Sequence, residues 1–341
     1  MTTPAKERVF HVAADQTGKT LASAMRTWLP GTSWGDVKRL VRTRHVMING
    51  NMSVDAERRL NDGDVVKLMP HPLAPPPSDK DVRVVYHDRH VIVVDKPPGV
   101  TTTRHHEERH WSPRRKQQQP TLDEMLPGIM AKIEKQKRPS GKHTGGKHRG
   151  DGHGGRQAVK AVHRIDRDTS GLLVFARTTN AARDLIEQFR EHSTHRKYLA
   201  VAVGVVAGRR IESFLIRDRG DGRRGSAPTS DVGKQAITHV TPVEVLGESF
   251  TLIECTLETG RTHQIRIHLA EIDHPLCGEK VYNRPLRGKP IADTSGAPRI
   301  ALHAAELGFT HPGSGEALHF ELPLPSDLKT LIKRLRRTKP C

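Results

Sequence analysis

The sequence predicts an α+β protein: a larger domain with a central, mainly antiparallel or mixed sheet flanked by helices and loops, preceded by a small α/β unit. Three observations carry this. β-Rich runs such as LLVFA, KYLAVAVG, ITHVTPVEVL and FTLIECTLE are joined by occasional helical stretches, without the regular βαβ alternation of a parallel sheet. HPLAPPPSDKD, residues 71–81, can neither continue a helix nor pair as a central strand, and reads as a linker. The 341 residues exceed the roughly 250 at which a single core stops growing.

Residues 1–17 read as an N-terminal tail and 18–70 as the small unit. Leu21, Met25 and Leu29 recur near helical spacing, and Ser33 is placed to cap a second helix carrying Val37, Leu40 and Val41. HVMING and DVVKLM follow as strands, set off by the turn formers in INGNMS and LNDGD. The second helix would carry Lys38, Arg39, Arg42 and Arg44 as a dense positive face. Such a face is either a solvated helix surface or a contact for RNA phosphates.

Past the linker, the larger domain extends over residues 82–335, with 336–341 as a C-terminal tail. VRVVYHDRHVIVVDKPPG gives two strands around HDRH and stops at KPPG. Residues 104–156 change character, with Gln117–Gln119 in a row, GKHTGGKHRGDGHGGR near the end, and 13 lysines and arginines against 6 acids. This stretch reads as a basic, disordered insertion containing one short helix over residues 121–135. Its histidines 143, 148 and 153 lack regular zinc-ligand spacing. Beyond it come LLVFA, the helix TNAARDLIEQFREH, the remaining strands, and LPSDLKTLIKRLRR as a capped basic helix.

Lysine and arginine outnumber acids 56 to 38, giving a net charge of +18 and a predicted attraction to polyanions, nucleic acid foremost. No run of about 18 apolar residues, no signal-peptide pattern in MTTPAKERVF and no basic amphipathic helix with a broad aromatic face supports membrane binding. Cys255, Cys277 and Cys341 are odd in number and form no CxxC, which argues against a disulfide framework or a four-cysteine zinc site. A reducing cytoplasm fits this usage.

Two constellations carry chemistry. In HRIDRDTSGLLVFART, residues 163–178, Asp166 and Asp168 form a D-x-D that invites a divalent-metal reading, which Arg164 and Arg167 oppose with fixed positive charge. Surface ion pairs ahead of a buried strand are the plainer alternative. In ETGRTHQIRIHLAEIDHPLCGEKVY, residues 258–282, four potential ligands suggest zinc: His263, His268, His274 and Cys277. If Thr262 caps a helix, Ile265, Leu269 and Ile272 form an apolar stripe, and His263 and His268 stand roughly 140° apart, too far round to chelate together. Arg266 then falls in the first turn, at the positive end of the helix dipole. A carboxylate facing it would stay ionised, ready to act as nucleophile or base; the alternative is an unpartnered surface arginine. In HRKYLAVAVG, Tyr198 opens a strand behind Arg196 and Lys197, a place for core packing or for stacking a base.

Taken in order, VIVVDKPPGVTT, HRIDRDTSGLLVFART, HRKYLAVAVG, ETGRTHQIRIHLAEIDHPLCGEKVYN and RIALHAAELGFTHP resemble the RluA family of pseudouridine synthases, the large ribosomal subunit type. The match covers most of residues 82–335 outside the insertion, and HRIDxxTSG followed by GRTHQIRxHL is highly specific. The resemblance implies the pseudouridine synthase fold and an isomerase that needs no cofactor and no metal. It makes Asp166 the catalytic nucleophile or base, with Arg266 pairing to it. Arg164 then occupies the space left by the flipped nucleotide, Tyr198 packs on the target base, and Ile265 helps form an apolar floor; Asp168 is not the matching position.

Residues 18–70 resemble the ribosomal protein S-four-like RNA-binding domain over about fifty residues, through VMING and GDVVKL, which implies RNA contact for Lys38, Arg39, Arg42 and Arg44. This accompaniment favours ribosomal RNA over transfer RNA, with pre-ribosomal particles as a further partner and a monomer in the cytoplasm as the expected form. The alternatives are an idle RNA-binding or ribosome-assembly protein on the same scaffold, and a D-x-D metal-dependent transferase. The intact set Asp166, Tyr198 and Arg266 argues against idleness.

Overall fold

The computed structural model describes residues 7–49, 51–73, 75, 77–104, 108–136, 158–229, 232–286 and 288–337. Its first unit contains β1 (Arg8–His11), α1 (Leu21–Trp28), α2 (Trp34–Arg42), β2 (Val46–Ile48), β3 (Asn51–Ser53) and β4 (Val65–Leu68). The four strands form an antiparallel sheet in the order β1-β4-β2-β3. Leu21, Met25, Val37 and Val41 of the helices pack on Ile48 and Val66 of the sheet, so the predicted stripes are the buried ones. Ser33 caps α2 as expected, its Oγ accepting the Asp36 N–H at 3.1 Å.

Two details differ from the sequence expectation. Residues 8–11, read as tail, pair along β4 and close the sheet. RVFH is too short, and too exposed on both faces, to show the alternation of a half-buried strand. Arg44 is not on α2: it lies past the helix end with φ of 65°, and its Nε donates to the Leu73 carbonyl at 3.0 Å.

The larger domain comprises β5 (Arg83–His87), β6 (Val91–Lys96), α3 (Pro113–Gln118), α4 (Leu122–Gln136), β7 (Lys160–Ala161), β8 (Ser170–Ala176), α5 (Thr179–Arg190), β9 (His195–Val203), β10 (Arg209–Ile216), β11 (Gly225–Ser226), β12 (Lys234–Leu246), β13 (Phe250–Leu257), α6 (Gln264–Glu271), β14 (Leu302–Thr310), β15 (Ala317–Glu321) and α7 (Ser326–Leu335). One sheet runs β11-β10-β12-β13-β9-β14-β8-β6-β5, with β15 beside β14 and β7 beside β8. The β8–β14 pairing is parallel and the rest are antiparallel, the mixed sheet that the irregular order of strand runs predicts. Gly171 makes the parallel junction possible: its φ is 113°, and a Cβ there would lie 2.2 Å from the Ala304 carbonyl oxygen.

Both faces of the sheet are covered, which is why β8 reads as a continuous apolar run. Leu173 and Phe175 meet α4 and α6 on one side. Leu172 and Val174 meet Ala181 and Leu185 of α5 on the other. Leu328, Leu331 and Ile332 of α7 pack near Val201 and Leu252.

Placement of α4 corrects the expected insertion at 104–156. The predicted helix is present, and Leu122, Met125, Leu126, Ile129 and Met130 are buried in the main core. At roughly 1.5–3 kcal/mol per buried apolar side chain, this face contributes on the order of 10 kcal/mol. Arg104 ties the stretch down, donating from Nε to Glu124 Oε1 at 2.8 Å. Polar composition around a short apolar patch hid the helix's place in the core, not the helix itself. Residues 105–107 and 137–157, including His143, His148 and His153, lie outside the described residues. Among the described residues, no helix is long and apolar enough to cross a membrane.

Candidate active site

Asp166 sits in the loop between β7 and β8, clasped to the KPPG turn after β6. The fully buried Lys96 ammonium donates to the carbonyls of Pro97 at 3.0 Å, Val100 at 2.9 Å and Arg167 at 3.0 Å, so each N–H has an acceptor. Burial pushes its pKa down to about 7, opposed by the fields of Asp168 and Asp166. The Gly99 N–H bonds the Arg167 carbonyl at 2.8 Å, and the Thr102 hydroxyl donates to the Ile165 carbonyl at 3.0 Å. The backbone on either side of Asp166 is therefore anchored.

Helix α6 brings the counter-charge. It is entered through His263, left-handed at φ 62°, rather than through a Thr262 cap as expected. Arg266, in the first turn, donates from Nη1 to Asp166 Oδ2 at 3.0 Å. The other edge of its guanidinium holds Glu279 bidentately, Nε to Oε2 at 2.7 Å and Nη2 to Oε1 at 2.9 Å. Glu279 Oε1 also accepts the N–H groups of Lys280, Val281 and Tyr282 at 2.9, 2.8 and 3.2 Å, and the Tyr282 ring lies 5.1 Å from the guanidinium carbon. Arg266 is thus aimed from three sides.

Burial alone would raise the Asp166 pKa, but nearby positive charge outweighs it and holds the carboxyl below its usual range. Of the three groups that could supply this charge, His263 is pushed down to about 4 by burial and is neutral near pH 7, which leaves Arg266, in direct contact through its hydrogen bond, with exposed Arg164 adding a smaller field. His263 still adjoins the carboxylate, with Nε2 3.7 Å from Oδ1, and its Nδ1 lies 2.7 Å from the Tyr282 hydroxyl oxygen.

The five predicted site residues line one cleft of about 350 Å³: Arg164, Asp166, Tyr198, Ile265 and Arg266. Tyr198 comes from β9, opposite Cys255 of β13, and Ile265 from the start of α6, while Arg164 is exposed. Burial pushes the Tyr198 phenol up to about 12, so it stays protonated at neutral pH. Asp168 does not line this cleft; its backbone carbonyl accepts from Arg299 Nη1 at 3.1 Å. The expected RNA contacts lie on the small unit, where Lys38 pairs with Glu57 and Arg39 with Asp36, each at 3.2 Å, and Arg42 is exposed.

Sequence reasoning passed over Glu279, Tyr282 and Lys96, and weighed His263 only as a metal ligand. The only local signal is a charged or polar residue amid apolar neighbours, as in IVVDKPP and LCGEKVY. Which partner each meets is set by distant segments.

An arginine-held aspartate in a cleft walled by tyrosine and isoleucine is the arrangement of an RNA-modifying isomerase that the motif resemblance implied. Residues 90–271 match the family described as RNA pseudouridylate synthase. The chain belongs to this family, and its activity class is the isomerisation of uridine in RNA. An uncharacterized RNA pseudouridine synthase of Bacillus subtilis is 35% identical over 95% of each chain. The ribosomal large subunit pseudouridine synthase D of Neisseria meningitidis is 34% identical over 95% of this chain and 81% of its own. The ribosomal large subunit pseudouridine synthase C of Salmonella typhimurium is 29% identical over 97% of this chain and 98% of its own. Among solved structures, human RNA pseudouridylate synthase domain containing 4 shares the fold, with a TM-score of 0.55 and 20% identity over 76% of this chain and 95% of its own.

Proposed function

We propose that this chain converts one or more uridines of large-subunit ribosomal RNA to pseudouridine, with Asp166 as the catalytic carboxylate. The observation that carries the reading is the 3.0 Å Arg266–Asp166 contact in the cleft that Tyr198 and Ile265 also line. Pseudouridine formation breaks the bond from ribose to uracil nitrogen, turns the detached base and rejoins it through carbon 5. The product keeps the atoms of the substrate, with one hydrogen moved from carbon 5, so the chemistry calls for neither cofactor nor metal.

A uridine must leave its stack to reach this loop. There the ionised Asp166 attacks the sugar or removes a sugar proton, and both routes start from an anionic oxygen held by a cation away from bulk water. Tyr198 packs on the base, Ile265 supplies the apolar floor, and exposed Arg164 fills the place the nucleotide vacates.

The names of the relatives in Neisseria meningitidis and Salmonella typhimurium favour large-subunit RNA. The small unit, an S-four-like RNA-binding domain in this reading, grips RNA phosphates through Lys38, Arg39 and Arg42, with Arg44 at the helix end. Residues 82–335 form the catalytic domain. The enzyme acts as a cytoplasmic monomer on free ribosomal RNA or pre-ribosomal particles.

Tritium release from RNA carrying uridine labelled at carbon 5 tests the proposal, with wild type and Asp166→Asn on ribosomal and transfer RNA. Release from ribosomal RNA by the wild type alone is expected. Release from transfer RNA only would move the substrate assignment, and no release from either would sink the reading.

A further inference from the structure

Among the described residues, the buried arginines Arg104, Arg219 and Arg266 each face a carboxylate: Glu124, Asp221 and Glu279. Arg196, only 7% exposed, has no carboxylate within ion-pair distance among the described residues. Its Nη2 donates to the Glu258 carbonyl at 2.9 Å and weakly to that of Leu257, and its guanidinium lies 5.6 Å from the Phe189 ring. Its Nε is buried without an acceptor. Its Nη1 has no hydrogen-bond partner either, and points toward Gly260, where a Cβ would lie 2.6 Å away. Arg196 and Gly260 both line the catalytic cleft, so the missing side chain at 260 leaves Nη1 open to it.

A second cation stands beside the first. Arg261 lines the same cleft, its Nε tied to the Gln235 carbonyl at 2.9 Å, and its field opposes that of Arg196. Two neighbouring guanidinium groups, one of them buried with no acceptor at Nε or Nη1, form an arrangement that an entering anion completes. A tetrahedral oxyanion matches the guanidinium fork, and an RNA chain threading its nucleotide into the cleft carries a phosphate on each side of it.

We propose that Arg196 and Arg261 form a phosphate subsite, which holds a backbone phosphate flanking the target uridine and so registers the nucleotide over Asp166. This rests on the reading that the cleft receives a uridine of an RNA chain.

The test is calorimetric binding of uridine and of uridine 3′,5′-bisphosphate to the full chain at low ionic strength. The wild type should bind the bisphosphate about tenfold or more tighter than uridine. Arg196→Met should reduce this ratio to within about twofold, and Gly260→Ala, which keeps Arg196 but displaces Nη1, should reduce it in part. Arg336→Gln removes the same charge from an exposed pair with Glu244 and should leave the ratio unchanged. Equal binding of the two probes by the wild type, undetectable bisphosphate binding, or an undiminished ratio in Arg196→Met overturns the subsite. If Arg196→Met fails to fold, the wild-type ratio and Gly260→Ala decide, an undiminished ratio in the latter counting against it. No turnover enters this readout, so absent tritium release would sink the ribosomal RNA assignment without touching the subsite.

Discussion

Arg266 and Asp166, a hundred residues apart in the chain, meet at 3.0 Å, and the arginine does not choose that position by itself. Its Nε and Nη2 are occupied by Glu279, leaving Nη1 for the aspartate. Glu279 is in turn fixed by three backbone N–H groups, so the charge facing Asp166 is set by a carboxylate that lies outside the cleft lining.

Glu279→Gln keeps the shape but loses the bidentate ion pair. Arg266 then shifts relative to Asp166, and misplacement of about 1 Å at a reacting group can cost about a hundredfold in rate. The expected result is a fall of about that size in kcat, with KM changed far less, measured by tritium release. An unaltered kcat would show that Arg266 needs no such support.

Lys96→Met leaves the carbonyls of Pro97, Val100 and Arg167 without their buried donor. A loss of about 3 kcal/mol or more in unfolding free energy is expected from urea titration. A loss below about 0.5 kcal/mol would mean that the clasp between the KPPG turn and the Asp166 loop is incidental.

Four histidines give the protein an acid limit. Burial lowers His163 to about 3, and His263, His268 and His303 to about 4, from an ordinary value of 6.5. The geometry agrees for His163, whose Nε2 accepts the Val174 N–H at 3.0 Å and so carries no proton. As pH falls below 6.5 the unfolded chain takes up protons that the folded chain refuses, so stability present above 6.5 is lost toward 4. Each group contributes up to about 1.4 kcal/mol per pH unit, on the order of 10 kcal/mol for the set across the window, which is comparable to the whole stability of a domain. The urea midpoint should fall steeply from pH 6.5 to 4.5; a flat profile would contradict the buried, neutral assignment.

Charge reversal at Lys38 and Arg42 should weaken RNA binding across sequences and flatten the slope of log affinity against log salt by about one unit per lost phosphate contact. Deleting residues 137–157, which carry six lysines and arginines and one aspartate, should act in the same direction while some turnover survives. Deletion reaching into Leu122–Gln136 should instead abolish folding, because it removes core side chains. Unchanged salt slopes in both the reversal and the short deletion would place the RNA contacts elsewhere.

Much of this is legible in the residues themselves. Ser33 as a cap, the stripe Ile265–Leu269–Ile272 and the apolar run LLVFA are properties of residues within a few positions of one another, and local periodicity reports them directly. The motif resemblance likewise singled out Arg164, Asp166, Tyr198, Ile265 and Arg266, and all five line the cleft. Short strand β1 escaped because four residues show too little pattern, and the helix read at 121–135 was placed in a disordered insertion because polar surroundings masked the burial of five of its side chains.

The sequence by itself determined the family, the longer elements and the two charges that matter. Tertiary structure decided their partners: sheet pairing places the β7–β8 loop beside α6, directs Arg266 between Glu279 and Asp166, and leaves Arg196 buried without a carboxylate. The physical reason is range. Helix and strand periodicity arise from neighbours along the chain, whereas the pairing of a buried charge is settled by whichever segment the sheet brings within about 3 Å of it.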